Sequence, residues 1–265
     1  MIFCISNIAW NENETKDVLK LLKEKRIRYL EYSPNLLLNN NFSRKKIRNV
    51  KKYWNDKKIR LYSMQSILYK KKNAYLFGEK YQRKIFFKEV EKKIKIAKSL
   101  GSKVIVFGSP ASRKIFNYKK NKLDELSYDM FSKIASLCMK YKVYFCLEAN
   151  PKIYKTKYLT HTNDSINLVK KINNKYFKIN LDLGTIIANK ENFKLIIKNN
   201  LKFIGHVQIS SPYLKNLLYY KKKIDVFVKT LQNLGYKKVI SFEMLKNNKN
   251  NLKVIKKVLE HKIND

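Results

Sequence analysis

Glycine and proline are scarce in this chain, at 6 and 4 of 265 residues. No G-x-G-x-x-G or Walker sequence occurs, which removes the Gly-rich phosphate turn that an open dinucleotide-binding sheet needs. Cysteine is limited to Cys4, Cys138 and Cys146, each set in an apolar stretch. Odd in number and far apart, they exclude a disulfide framework and a zinc knuckle, and they read as reduced core thiols of an intracellular protein. No segment approaches the ~18–20 continuous apolar residues of a transmembrane helix. The first residues lack the basic region and long apolar segment of a signal peptide, because Asn11, Glu12, Asn13 and Glu14 interrupt them. A cytoplasmic protein without a membrane partner is expected. Acids are also few, 20 against 59 Lys and Arg, for a formal net charge of +39. Such a charge suggests nucleic acid or an anionic membrane. The chain is, however, crowded with Lys, Asn, Ile and Tyr, as codons from an AT-rich genome would make it. Its lysines fall on polar helix faces and in connectors such as Lys70–Lys72 and Lys221–Lys223. We therefore read the charge as solvated surface that binds polyanions non-specifically and is sensitive to salt, with no specific nucleic-acid partner.

Hydrophobic residues make up 45% of the chain, enough for a substantial core. They fall in short apolar runs that alternate with longer segments of helical period. The runs predict strands at Ile2–Trp10, Arg28–Tyr32, Ile59–Met64, Val104–Phe107, Val143–Glu148, Phe177–Asp182, Phe203–Ile209 and Lys238–Glu243. Between them, Phe87, Val90, Ile94 and Ala97 mark a helix capped by Gly101, and Met130, Ile134, Leu137 and Tyr141 mark another. Helices are also expected over Ser43–Lys57, Asn163–Ile172, Glu191–Lys198, Ile224–Leu234 and Asn250–His261, with an irregular stretch over Tyr69–Arg83. Strands separated by helices return in the same direction and so pair in parallel. Eight such units in ~250 residues predict a (β/α)8 TIM barrel, with residues 1–265 forming a single domain.

Three of the strand patterns end in a carboxylate: Glu148 before Ala149-Asn150-Pro151, Asp182 before Leu183-Gly184, and Glu243 after Ser241-Phe242. A buried strand that ends in a bare charge needs something opposite it, because an unpaired carboxylate in a low dielectric costs several kcal/mol. In a barrel these three lie at the C-terminal ends of the fifth, sixth and eighth strands, on the catalytic face. The seventh strand carries His206 and Gln208 on one side by its alternation. Carboxylates crowded at one rim repel unless a cation neutralises them, so a divalent metal is implied. Mn2+ or Mg2+ is favoured by the oxygen donors, with Co2+ or Zn2+ as alternatives.

Read together, Asn7-Ile8-Ala9-Trp10, Glu31-Tyr32-Ser33-Pro34, Gln65-Ser66-Ile67-Leu68-Tyr69, Phe107-Gly108-Ser109-Pro110, Leu147-Glu148-Ala149-Asn150-Pro151, Leu181-Asp182-Leu183-Gly184, His206-Val207-Gln208-Ile209-Ser210 and Ser241-Phe242-Glu243-Met244 resemble the eight strand ends of the xylose-isomerase-like sugar phosphate isomerase/epimerase superfamily. The resemblance implies metal ligands at Glu148, Asp182, Gln208 and Glu243, with Glu148 and Glu243 moving a proton through an enediolate-type intermediate. The ketose epimerases have His where Gln208 stands, and their further substrate-binding acid and His are Tyr154 and Thr185 by spacing. Substrate contacts are expected from His206, Gln65, Arg113, Asn150 and Lys152. Arg113 also reads as an ordinary loop arginine and Gln208 as a bystander, while Trp10 and Tyr69 read either as lining a sugar pocket or as packing. The expected function is isomerisation or epimerisation of a sugar or sugar phosphate. The alternatives are a nucleic-acid enzyme like the superfamily's apurinic-site endonucleases, or a barrel that binds ligand without catalysis. The endonucleases use a His-rich three-metal centre, which 3 His residues cannot build. The oligomeric state stays open.

Overall fold

The computed structural model describes residues 1–246 and 251–260. Its eight strands are β1 (Ile2–Ser6), β2 (Tyr29–Tyr32), β3 (Arg60–Met64), β4 (Val104–Phe107), β5 (Tyr144–Glu148), β6 (Phe177–Asp182), β7 (Ile204–Ile209) and β8 (Val239–Phe242). Every pairing is parallel and follows chain order, and β8 returns to β1 through Ile2↔Val239 to Ile5↔Phe242, closing the barrel. The helices are α1 (Thr15–Glu24), α2 (Pro34–Leu37), α3 (Arg44–Asp56), α4 (Lys80–Leu100), α5 (Lys120–Tyr141), α6 (Thr162–Ile172), α7 (Leu183–Asn189), α8 (Phe193–Asn200), α9 (Lys221–Asn233) and α10 (Asn251–Leu259). Among the described residues no helix is long and apolar enough to cross a membrane.

Most boundaries fall within two residues of the sequence expectation, and the exceptions have local causes. The first strand stops at Ser6 rather than Trp10, because Asn7–Ala9 turn into a 3-10 helix. The segment expected to stay irregular to Arg83 is already helical at Lys80, where Glu79 and Gln82 form a capping box. The far end of α4 is Gly101 at φ 86°, a left-handed position that only glycine adopts without strain. Helices α2 and α7 were not anticipated. Asp182 starts α7 by accepting from the Thr185 backbone N–H at 2.8 Å. Of the closing helix, Asn250 and His261 lie outside the described residues.

The strands divide their side chains between two cores. Outward-facing Phe107, Phe145 and Phe177 stack across β4, β5 and β6, at centroid separations of 5.5 and 5.8 Å. Phe131 of α5 packs onto all three. Each of these rings is fully buried. Inside the barrel, Val104, Val106 and Cys146 form a separate apolar cluster with Tyr62 and Tyr144. Toward the C-terminal end of the strands, the barrel's side chains change from apolar to polar.

Candidate active site

Glu148 is the last residue of β5 and Asp182 the last of β6. Gln208 lies one residue short of the end of β7. Glu243 follows β8 directly and keeps its backbone N–H on the Ile209 carbonyl at 2.9 Å. The ring they form is staggered. Asp182 pairs directly with Gln208, but the partner of Glu148 is Asn180 and that of Gln208 is Ser241. Tilted strands in a sheared barrel require this offset, and it sets Glu243 one pleat above Gln208.

Each carboxylate has its own set of neighbours. Glu148 accepts from Asn150 Nδ2 at 2.7 Å on one oxygen and from Asn180 Nδ2 at 3.0 Å on the other. Asp182 accepts from Ser210 Oγ at 2.5 Å and from the Thr185 N–H. No donor among the described residues reaches the carboxylate of Glu243. Burial pushes Glu148 up to about 8, aided by the charge of Asp182 and opposed by Arg113 and the two asparagines. Burial likewise raises Asp182, against its hydrogen bonds from Ser210 and Thr185. Glu243 rises well above the ordinary carboxylate range, through burial and then the charges of Glu31, Glu148 and Asp182. Glu243 thus feels the charge of both other carboxylates, and Glu148 that of Asp182. Gly108 leaves room for Glu148, since a Cβ there would stand 2.7 Å from its Oε1.

Of the other side chains expected at the site, several lie behind its surface. Arg113 is wholly buried in the 3-10 turn Pro110–Arg113. Its guanidinium donates to Asn150 Oδ1 and to the Tyr158 carbonyl, and it lies 5.9 Å over the Phe107 ring. Burial draws its pKa down to about 10. Asn150 therefore bridges Arg113 to Glu148. His206 is 0% exposed, with Nε2 2.9 Å from Glu31 Oε2 and no partner for Nδ1. Gln65 is buried and donates to Ser6 Oγ at 2.9 Å. Lys152 is exposed in the turn after β5. Trp10 is in the core, and Tyr69 is exposed.

Three polar residues to which the sequence assigns no site role organise the interior. Glu31, on β2, accepts from Ser63, Ser241 and Gln208 and is hydrogen-bonded with His206 Nε2. Asn180 donates to both Glu148 and Gln208. Ser210 holds Asp182. Glu31 carried the same signal as Glu148, a carboxylate inside an apolar strand, and Asn180 was marked by its alternation with Asp182. Tyr154, at the position where the epimerases carry an acid, meets Tyr213 with ring centroids 5.8 Å apart. Burial raises its phenol to about 12, against a hydrogen bond from the Tyr213 backbone N–H, and the charges of Asp182, Glu148 and Glu243 add to the rise. Thr185, where the epimerases carry a His, donates its hydroxyl to the Ala149 carbonyl.

Three carboxylates and the Gln208 carbonyl are all hard oxygen donors, the set that suits Mg2+ or Mn2+. Their mutual repulsion is what a divalent cation would relieve, and the bare carboxylate of Glu243 is the open donor. In the present rotamers protein groups occupy both oxygens of Glu148 and Asp182. Among the described residues no three His, Cys, Asp or Glu side chains stand close enough to ligate one ion together. The donor types fit the cation, and ligation would require these side chains to exchange protein donors for it.

Comparison with known proteins adds the family. No curated protein sequence matches the chain. Among solved structures it is similar to 3-keto-D-glucoside 4-epimerase, YcjR, from E. coli in its apo form, at TM-score 0.78 and 15% identity, over 98% of each chain. It is similar to D-psicose 3-epimerase in the presence of D-fructose, at TM-score 0.76 and 13% identity, over 92% of this chain and 85% of that one. It is also similar to the IolI protein with a bound zinc atom, at TM-score 0.71 and 16% identity, over 98% and 95%. At these identities the likeness is one of fold. A family model described as a xylose isomerase-like TIM barrel matches residues 19–261, and the chain belongs to that family.

Proposed function

We propose that the protein is a metal-dependent isomerase or epimerase of a sugar or sugar derivative, working by proton transfer at the C-terminal mouth of the barrel. The observation that carries this reading is the placing of Glu148, Asp182 and Glu243 at the ends of β5, β6 and β8, where burial raises all three, the charge of Asp182 adds to the rise of Glu148, and the charges of Glu148 and Asp182 add to that of Glu243. Perturbed carboxylates in one polar mouth are a marker of proton chemistry. Sugar epimerases among the similar structures support the substrate class. Glu148, Asp182, Gln208 and Glu243 would hold the cation. When bound there, it would polarise adjacent oxygens of a sugar and acidify the C–H between them.

The protein's own groups do the rest. Glu148 and Glu243 take and return the proton, on strands three units apart in the barrel order. Glu148 has an asparagine amide on each of its oxygens, and it gives up one of them when it meets the cation or the substrate. Glu243 is free to reorient between substrate and cation. Arg113 acts through Asn150, steadying the charge on Glu148 rather than meeting the sugar. Lys152 at the rim is suited to a hydroxyl or phosphate, and Tyr154 with Tyr213 to a sugar face. Gln65 and His206 support the mouth from below. Three unpaired buried thiols support a cytoplasmic location.

The test is deuterium incorporation from D2O into a panel of ketohexoses and 3-keto-glucosides, followed by NMR in the presence of Mn2+. The wild-type protein should exchange a C–H beside the carbonyl of at least one member. A Glu148→Gln/Glu243→Gln double variant should lose that exchange by roughly 10²-fold or more. Equal exchange by the two proteins would refute the assignment.

A further inference from the structure

Gln208 is the one carboxamide in the proposed cation set, and a carboxamide can turn either its oxygen or its NH2 group toward a given point. Toward a cation, one end attracts and the other repels. Four hydrogen bonds around Glu31 settle which end faces where. Glu31 is 0% exposed inside the barrel. Its Oε1 accepts from Gln208 Nε2 at 2.9 Å and Ser241 Oγ at 2.8 Å. Its Oε2 accepts from Ser63 Oγ at 2.8 Å and is hydrogen-bonded with His206 Nε2 at 2.9 Å. Glu31 is the acceptor in its bonds from Ser241, Ser63 and Gln208, and the end of Gln208 that meets it is the NH2. The Gln208 oxygen then points to the other side, where Asn180 Nδ2 donates to it at 2.5 Å while also donating to Glu148 at 3.0 Å.

We infer that Glu31 is a positioning residue: by holding the NH2 of Gln208 it fixes the Gln208 carbonyl oxygen toward the cluster of Glu148, Asp182 and Glu243. The inference rests on the reading of that cluster as a cation site. Glu31 itself touches neither cation nor substrate, because it is closed from solvent and both its oxygens are engaged. An isosteric amide at this position would break the rule. A Gln there offers both a donor and an acceptor, so Gln208 could turn over and present its NH2 to the carboxylates.

The experiment is Mn2+ titration followed by electron paramagnetic resonance, on wild type, Glu31→Gln, Gln208→Leu, the double variant, and Ser63→Ala as a control on the Glu31 hub. Glu31→Gln should weaken Mn2+ binding about 10- to 100-fold, as loss of an orienting partner does, while keeping a native circular dichroism spectrum. Ser63→Ala should bind Mn2+ about as tightly as wild type. In the Gln208→Leu background, adding Glu31→Gln should weaken binding no further. Independent, multiplying effects would overturn the inference, as would a Ser63→Ala loss equal to that of Glu31→Gln.

A second readout separates this inference from the reading of the site. The Gln208 NH2 pair, identified in a 15N–1H spectrum by its loss in Gln208→Leu, should be protected from hydrogen exchange in wild type and unprotected in Glu31→Gln. If wild type binds no Mn2+, the cation site fails while this spectrum still decides the orientation. If Glu31→Gln does not fold, rapid exchange of the Gln208 NH2 in wild type overturns the inference and protection supports it.

Discussion

A methyl group added at Gly108 would stand 2.7 Å from Oε1 of Glu148 and 3.2 Å from its carboxyl carbon. Gly108→Ala must therefore displace that carboxylate from the two amides that hold it, although nothing apolar is lost. We expect the proton-exchange rate to fall about 10- to 100-fold, the scale set by a misplacement of about 1 Å, with little change in melting temperature. An unchanged rate would mean that the position of Glu148 is not critical. At this scale the sequence was informative about charge and poor about partners. Glu148, Asp182 and Glu243 could be read from strand ends, because a carboxylate closing an apolar run is anomalous wherever it falls. That Arg113 reaches Glu148 only through Asn150, or that His206 turns inward to Glu31, depends on which strands are neighbours, and alternation along one strand does not reveal that.

Among the elements, the seam between β4, β5, β6 and α5 has the most to do with the site, because it seats the strand ends that carry Glu148 and Asp182. Phe131 of α5 covers Phe107, Phe145 and Phe177 at centroid separations of 5.6–6.3 Å. Phe131→Ala should destabilise the fold by about 3–5 kcal/mol, read by urea denaturation, because it empties a fully buried site. A loss below about 1 kcal/mol would show that the seam collapses to fill the space. Element boundaries were legible where an apolar period met a cap, as at Gly101. Helix α7 was not, because its cap is Asp182, whose place at a strand end marks it for the site and hides its second role.

For the whole molecule, eight alternations of period identified the barrel, since parallel strands joined by helices leave few ways to bury every face. The molecule also carries a pH signature. An unfolded Glu titrates near about 4.3, and burial holds Glu148 at about 8 in the fold. Between those values the folded chain binds more protons than the unfolded one, so this group's contribution to stability falls as pH rises and is lost above about 8. Asp182 and Glu243 shift in the same direction. A cation on the ionised cluster should reverse the loss. The rise in melting temperature on adding Mn2+ should accordingly be larger at pH 8 than at pH 5.5, and Glu148→Gln should reduce that difference. Equal rises at both pH values would place the ion elsewhere.

The central claim is that side chains from four strands make one cation site, and anomalous diffraction from a crystal grown with Mn2+ tests it most directly. The account predicts a single strong peak between Glu148, Asp182, Glu243 and Gln208, with the Gln208 oxygen facing it and its NH2 still on Glu31. A crystal saturated with Mn2+ that shows no peak there, or shows one on other residues, would contradict it.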